Sequence, residues 1–152
     1  MKRLVNSLLI MFAVFVTSSI PAFAFYSDMQ ESHWAYKQIK QLSEKSVVIG
    51  YPDGTFKPDE NVTRAEFASM AIKALGQEHT TVAQPVKFND IDRDFWAYDA
   101  IQKAIYFDLV SNPEKEGKFR PYDSVSRAEA LSIAVNALTT EQISEALSNQ
   151  IG

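Results

Sequence analysis

The sequence predicts a mainly α-helical fold in which two helix-loop-helix repeats pack on each other and a short C-terminal helix follows. Two observations lead to this prediction. The same aromatic and charged motifs occur once in each half of the chain, in the same order, and each copy has apolar residues at helical spacing on both sides of a loop. Because the 152 residues include no cysteine, disulfides are excluded and packing must stabilise the fold.

The N-terminal segment, 1–24, has the layout of a secretory signal peptide. A basic start at Lys2 and Arg3 precedes an apolar run over 4–16, and Ala22 and Ala24 form the small-x-small cleavage pattern. The apolar run is shorter than the roughly 20 residues that a membrane-spanning helix needs. We therefore expect export and cleavage after Ala24; a retained N-terminal anchor is the alternative.

The charge of the remaining chain excludes one class of partner. Cleavage would remove Lys2 and Arg3 from the 15 basic side chains and leave all 19 acidic ones, so the formal charge would change from −4 to −6. The length that remains is sufficient for one domain with a modest hydrophobic core. A chain this acidic is a poor candidate for binding nucleic-acid phosphates.

An internal repeat covers most of this part of the chain. Trp-Ala-Tyr at 34–36 recurs at 96–98, and Phe-x-Pro at 56–58 recurs at 119–121 as Phe-Arg-Pro. Thr-Arg-Ala-Glu at 63–66 recurs at 126–129 as Ser-Arg-Ala-Glu. The second copy is longer by one position, and this insertion falls in the loop region, where the segment 111–118 has no counterpart of the Gly-Tyr-Pro-Asp-Gly-Thr motif at 50–55.

Each copy begins with a helix that leads into a loop. In the first copy, Trp34, Ile39 and Leu42 form an apolar stripe, and we expect the helix to end near Ser46. A β-branched run then precedes the sequence Tyr-Pro-Asp-Gly at 51–54. This sequence predicts a tight turn, because proline presets the first turn position and Asp-Gly tolerates positive φ.

A second helix follows the loop in each copy. Thr63 and Glu66 predict a capping box at its start, and Ser126 and Glu129 predict the same box in the second copy. Apolar residues follow at helical spacing, and Gly76 is placed to end the helix of the first copy. Such a unit cannot bury its apolar face alone, so we expect the copies to pack together.

These signals divide the chain into five segments: a signal peptide (1–24), a first repeat (25–76), an exposed linker (77–87), a second repeat (88–139) and a C-terminal segment (140–152). In the last segment, Thr140 is expected to cap a short separate helix over 141–149. This segment has no Trp-Ala or Arg-Ala-Glu motif, so it is not a third copy.

The motifs closely resemble those of the S-layer homology (SLH) repeat. The resemblance covers 25–76 and, more weakly, 88–138. It rests on four motifs: Phe-x-x-Asp at 25–28, Trp-Ala at 34–35, Gly-Tyr-Pro-Asp-Gly-Thr-Phe-x-Pro at 50–58 and Thr-Arg-Ala-Glu-Phe at 63–67.

The resemblance implies a bacterial envelope module that binds cell-wall polysaccharide non-covalently, often an acidic, pyruvylated polymer linked to peptidoglycan. Some two-membrane envelopes use such repeats to tie outer-membrane proteins to peptidoglycan, so the cell-wall surface and the periplasm are both expected locations. Well-characterised family anchors pack three repeats around a pseudo-threefold axis, with ligand grooves between neighbours. This chain has two repeats, so the C-terminal helix fills the third place, or two chains assemble, or the pair binds weakly.

Arg64 and Arg127 match the arginine that is implicated in ligand contact in this family. A guanidinium forms bidentate hydrogen bonds with a carboxylate, which suits an acidic glycan. An arginine at a helix start opposes the helix dipole, which indicates a specific partner. The alternative is that each arginine pairs with a nearby carboxylate or with loop carbonyls.

Two tryptophans and one turn are further candidates for glycan binding. Trp34 and Trp96 can stack on sugar rings, although their positions in the apolar stripe favour core packing. Asp53, Gly54 and Thr55 offer backbone groups and a hydroxyl to a sugar, and a tight turn alone would also explain them.

The sequence predicts no metal site, cofactor or catalytic centre. Asp-x-Asp-x-Asp at 90–94 resembles the start of a calcium loop, but Phe95 stands where an EF-hand needs glycine and Ile101 where it needs glutamate. The two histidines, His33 and His79, are not at metal-ligand spacing.

These observations favour an exported, non-catalytic envelope protein whose partner is cell-wall glycan, either a pyruvylated polymer or peptidoglycan. The alternative is an assembly module that forms homo-oligomers or docks with other envelope proteins, because two repeats leave one side unfilled. An enzyme is disfavoured, since the repeats and the tail occupy nearly all of the chain after Ala24.

Overall fold

The computed structural model of the protein describes residues 25–110 and 117–151, and of residues 143–151 it describes the backbone only. Within these residues the chain forms α1 (Tyr36–Glu44), α2 (Arg64–Ala74), α3 (Tyr98–Tyr106) and α4 (Arg127–Ile151). The prediction of a mainly α-helical fold with two helix-loop-helix units is confirmed. The predicted signal peptide and residues 111–116 of the second loop lie outside the described part of the chain.

In each repeat, an aspartate at the equivalent position holds the loop. Asp28 accepts hydrogen bonds from the backbone N–H groups of Phe56 and Lys57 at 2.8 and 2.7 Å. In the second repeat, Asp90 accepts the equivalent bonds from Phe119 and Arg120 at 2.9 and 2.7 Å. The second residue of each pair has a left-handed backbone, with φ of 59° for Lys57 and 58° for Arg120. The carboxylate therefore stabilises a conformation that a non-glycine residue rarely adopts.

Helix α2 belongs to the first repeat by sequence but completes the core of the second. Its residues Ala65, Ala68 and Ile72 are buried. They pack in one cluster with Ile101 of α3 and with Phe119. The first repeat has its own smaller cluster, formed by Met29, Ala35, Ile39, Val47 and Val48. The expected packing of one copy on the other is thus achieved mainly by α2.

Short backbone contacts join the repeats at the start of α2. The N–H of Arg64 donates to the carbonyl of Asp123 at 2.9 Å, and the N–H of Ala65 donates to the carbonyl of Pro121 at 3.1 Å. Thr63 and Ser124 form an isolated antiparallel bridge. These bonds satisfy N–H groups that the first turn of a helix leaves without an intrahelical partner.

The linker is more firmly attached than its composition suggests. Gln102 is buried, and its side-chain amide forms two hydrogen bonds with the backbone of Val86, at 2.7 and 2.8 Å. Val86 packs against the core of the second repeat. Residues 83–85 are exposed, as expected for a linker.

The prediction of a separate C-terminal helix capped by Thr140 was wrong, because α4 continues from Arg127 to Ile151. In the first repeat, Gly76 adopts a φ of 64° just after α2 ends. The corresponding residue of the second repeat is Thr139, which does not break the helix. The hydroxyls of Thr139 and Thr140 donate to the carbonyls of Val135 and Asn136, at 3.0 and 2.9 Å. Both threonines therefore bond to the preceding turn of the same helix.

No helix in the described part of the chain is long and apolar enough to cross a membrane.

Candidate functional site

A groove with a volume of about 590 Å³ lies between the first-repeat loop, α2 and the start of α3. The loop supplies one wall through residues 47–52 and 56–58, and α2 supplies the other through Glu66, Ser69, Met70 and Lys73. Trp96 is the residue that the second repeat contributes to the lining. The groove is therefore built where the two repeats meet.

The tight turn of the first loop forms as its sequence predicts. The N–H of Tyr51 donates to the carbonyl of Thr55 at 2.8 Å, and Gly54 has a φ of 82°. Asp53 accepts from both the hydroxyl and the N–H of Thr55, at 2.6 and 3.0 Å. These hydrogen bonds from Thr55 hold the pKa of Asp53 below its usual value. Asp53, Gly54 and Thr55 thus shape the turn, whereas the groove itself is lined by their neighbours on both sides.

Gly50 allows the loop to lie close to the rest of the first repeat. It has a φ of 71°, and a Cβ at this position would lie 2.3 Å from the ring of Tyr26 and 2.6 Å from the carbonyl oxygen of Thr55. Neither contact is sterically possible for a side chain. The glycine is therefore needed for the position of the loop.

Tyr51 and Glu66 link the loop to α2. The Tyr51 hydroxyl donates to Oε1 of Glu66 at 3.0 Å. Burial, together with the negative charge and hydrogen bond of Glu66, raises the pKa of Tyr51. The other oxygen of Glu66 accepts from the N–H and the hydroxyl of Thr63, both at 2.8 Å, which completes a capping box. Tyr51 was not among the predicted site residues, although its place beside the turn proline was a usable signal.

The second predicted capping box is only half formed among the described residues. The N–H of Glu129 donates to the hydroxyl of Ser126 at 3.1 Å. The carboxylate of Glu129 instead forms an ion pair with Arg64 of the first repeat. The reason is tertiary, since the start of α2 lies beside the start of α4.

Arg64 is largely buried between the repeats, with 17% of its side chain exposed. Its Nε donates to the carbonyl of Phe119 at 2.9 Å, and its guanidinium lies over the Phe119 ring at 4.8 Å. Together with the Glu129 ion pair, these contacts match the alternative in which the arginine bonds a carboxylate and a loop carbonyl. Arg127 is exposed at the start of α4, and neither arginine lines the groove.

The expectation that the tryptophans pack in the core was wrong. Trp34 is 85% exposed and Trp96 is 61% exposed. Each lies two positions before its helix begins, at Tyr36 or Tyr98, so neither belongs to the apolar stripe of a helix. Leu42, which was placed in the same stripe, is also exposed. Of the two tryptophans, only Trp96 lines the groove in the described structure.

Charged side chains of both signs line the groove. Lys57 lies over the ring of Tyr51 at 4.5 Å and contacts Glu60 at 3.9 Å. Lys73, on the last turn of α2, is half-buried and has no ion pair within the described residues. Neither lysine was a predicted site residue, because nothing in their local sequence indicates that they share a groove with Trp96.

The described residues contain no cluster of three or more histidine, aspartate or glutamate side chains that could hold a metal ion. The carboxylate of Asp90, part of the pattern compared with a calcium loop, accepts backbone hydrogen bonds instead. The groove lining therefore combines an aromatic face and apolar walls with two ammonium groups, two carboxylates (Glu60 and Glu66) and the hydroxyls of Tyr51 and Ser69.

Comparisons with known proteins identify one family and several relatives. The model of the S-layer homology domain matches residues 25–68 and 87–131, which together exceed half of the chain. The chain is 35% identical over 121 residues to Cell surface glycoprotein 1 of Acetivibrio thermocellus, covering 74% of this chain and 5% of that protein. It is 34% identical over 135 residues to an endoglucanase of Bacillus sp., covering 88% of this chain and 14% of that protein. It is also 34% identical over 116 residues to the cellulosome-anchoring protein of A. thermocellus, covering 74% of this chain and 26% of that protein. The chain thus spans only a small part of each of these relatives.

Proposed function

We propose, since the chain belongs to the S-layer homology domain family, that it is a non-catalytic protein of the bacterial cell envelope. We further propose that the groove beside Trp96 binds cell-wall polysaccharide. The relatives named as a cell surface glycoprotein and a cellulosome-anchoring protein support a location at the cell surface. The match to an endoglucanase covers 14% of that enzyme, so its activity is not carried over. Export through the segment 1–24 is part of the same proposal.

The single observation that carries the proposal is that an exposed aromatic ring shares one groove with Lys73, whose ammonium group has no ion pair among the described residues. Trp96 is 61% exposed, and a flat apolar ring with one N–H donor can stack on the face of a sugar. Lys73 lines the same groove and can pair with the carboxylate of an acidic glycan. The groove volume of about 590 Å³ also lies within the usual range of ligand sites, roughly 300–1,000 Å³.

The local character of these groups matters because the chain as a whole is acidic, with a formal charge of −4. Net charge opposes the approach of an acidic polymer, but salt screens this repulsion beyond the Debye length of about 8 Å. Binding must therefore depend on close contacts with Lys57 and Lys73. Arg64 contacts Phe119 and Glu129 and does not line the groove, so we assign the ligand carboxylate to Lys73.

Sedimentation of the chain with purified cell-wall sacculi tests this function. We expect the wild-type chain to co-sediment, and we expect Trp96→Ala to weaken binding by about tenfold or more, the equivalent of one stacking contact. Trp34→Ala is the matched control, because Trp34 is also exposed to solvent but does not line the groove. Failure of the wild type to bind, or equal effects of the two substitutions, would contradict the proposal.

A second arm identifies the chemical group that is bound. Lys73→Ala is compared with Lys40→Ala, an exposed lysine on α1 outside the groove. Each is tested on sacculi before and after chemical removal of the ketal carboxylates. If Lys73 pairs with that carboxylate, its substitution weakens binding to untreated walls and has no further effect on treated walls. An equal loss on both kinds of wall would exclude this pairing.

A further inference from the structure

One apolar face of α2 is covered by the second repeat. Ala65, Ala68 and Ile72 are 1%, 0% and 1% exposed, and Leu75 packs against the same core cluster. These four residues lie at positions i, i+3, i+7 and i+10, so they form one stripe along the helix.

The same face of α4 is uncovered. The four corresponding residues of the second repeat are Ala128, Leu131, Val135 and Leu138, which we call the α4 face. Leu131 is 65% exposed, Val135 51% and Leu138 60%. In α4, Leu131 stands at the position of Ala68 and Val135 at that of Ile72. Leu138 keeps the leucine found at position 75. The second repeat therefore presents at least as much apolar side chain as the face that the first repeat buries.

The surface that would receive such a face is less completely covered in the first repeat than in the second. In the second repeat, α2 packs on Ile101 and Ala104, both 0% exposed. Their counterparts in the first repeat are Ile39 and Leu42, which are 8% and 39% exposed. Phe119 is buried under α2, whereas its counterpart Phe56 is half-buried. We call Ile39, Leu42 and Phe56 the acceptor surface.

The polar contacts of the existing interface also have counterparts. The first two N–H groups of α2 donate to the carbonyls of Asp123 and Pro121, which correspond to Glu60 and Pro58 in the first repeat. Arg64 bonds the carbonyl of Phe119, and its counterpart Arg127 is exposed at the start of α4. One interface is therefore used once within the chain. Of its two halves, the α4 face is exposed on the second repeat and the acceptor surface is partly exposed on the first.

We infer that the α4 face docks on the acceptor surface of a second copy of this chain, in the arrangement by which α2 docks on the second repeat. The contact is heterologous, because the two surfaces that meet are different. Arg127 then lies against the carbonyl of Phe56 in the second copy, as Arg64 lies against Phe119. Phe56 also lines the groove that we propose binds polysaccharide, so this association would cover part of that groove. Its test contains no glycan.

Sedimentation-velocity analysis of the full chain, purified after export from a secreting host, tests the inference. Leu131→Glu places a charge in the α4 face, and Leu42→Glu places one in the acceptor surface. Both side chains are exposed, so the variants are expected to retain the wild-type circular dichroism spectrum. Ser132→Glu is the matched control, since Ser132 is exposed on the same helix but outside the α4 face.

We expect the wild type and Ser132→Glu to associate with increasing concentration, and each leucine variant alone to dissociate at least tenfold more readily. An equimolar mixture of Leu131→Glu and Leu42→Glu retains one intact pair of surfaces, and is expected to form a dimer and nothing larger. A wild-type chain that stays monomeric up to about 1 mM would overturn the inference. The inference would also be overturned if Leu42→Glu associated as strongly as the wild type, because the α4 face would then dock on a surface other than the acceptor surface.

Discussion

Substitution of Arg64 by alanine is expected to destabilise the fold by weakening the contact between the repeats. Across this contact, the Arg64 side chain meets the carbonyl of Phe119 at 2.9 Å, the ring of Phe119 at 4.8 Å and the carboxylate of Glu129. A hydrogen bond with a charged group contributes roughly 1.5–3 kcal/mol, and a cation–π contact about 0.5–1 kcal/mol.

Solvent reduces these contributions, because 17% of the Arg64 side chain and 26% of the Glu129 side chain are exposed. We therefore expect Arg64→Ala to lower the free energy of unfolding by about 2–3 kcal/mol. For a domain of this size, that change corresponds to a fall in Tm of roughly 6–12 °C. Arg64→Lys is expected to recover only part of the loss, because an ammonium group cannot contact the carbonyl, the carboxylate and the ring together.

Urea denaturation followed by far-UV circular dichroism, at low protein concentration, measures this effect. Arg127→Ala is the matched control, since the exposed Arg127 should contribute less than about 0.5 kcal/mol in the monomer. A double-mutant cycle with Glu129→Gln should give a coupling energy of about 1–2 kcal/mol. If Arg64→Ala unfolded at the wild-type urea concentration yet no longer bound sacculi, Arg64 would be a ligand-contacting residue and this reasoning would be wrong.

Three further predictions concern the loop and the end of the repeat. Gly50→Ala should lower the free energy of unfolding by more than about 2 kcal/mol, because its Cβ would lie 2.3 Å from the Tyr26 ring. Gly54→Ala, which has open space around it, should cost about 1 kcal/mol, and equal urea midpoints would contradict the steric argument. Asp28, although desolvation opposes the effect, has a lowered pKa because Phe56 and Lys57 donate backbone hydrogen bonds to it. Its stabilisation should be complete above the unfolded-state pKa of about 3.9 and lost as pH falls through the lower folded-state pKa. The stability difference between the wild type and Asp28→Asn should therefore shrink in acid, and a constant difference would contradict this. Thr139→Gly should reduce helical ellipticity by ending α4 early, unlike Thr139→Ala.

Local signals in the sequence predicted much of this fold. The tight turn at 51–54, the capping box of Thr63 and Glu66, and the end of α2 at Gly76 each depend on neighbours a few positions away. The repeat itself added the correspondence between the two halves. These features were available because their physical causes are contained in short stretches of chain.

The remaining features depend on contacts that no short stretch contains. The principal partners of Arg64 lie 55 and 65 residues away, so local sequence could not decide between a ligand and an interface. Trp34 was assigned to a helix because its spacing from Ile39 and Leu42 fits a stripe, whereas α1 starts two positions later. The groove was not predicted, because its residues are far apart in the sequence: Lys57 and Lys73 belong to the first repeat and Trp96 to the second.

The unit that repeats along this chain is not the unit that folds. The sequence motif ends with α2, but the core that α2 completes is made mainly by residues after the linker, and Gln102 fastens the last part of that linker. A cut between Gly76 and Phe88 would therefore leave the second fragment without one wall of its interior. In an engineered array of such modules, we expect a piece that begins before α2 and ends before α4 to be exchanged with little loss of stability. A piece cut at the ends of the sequence motif should be tolerated less well, because it separates α2 from the core that it completes.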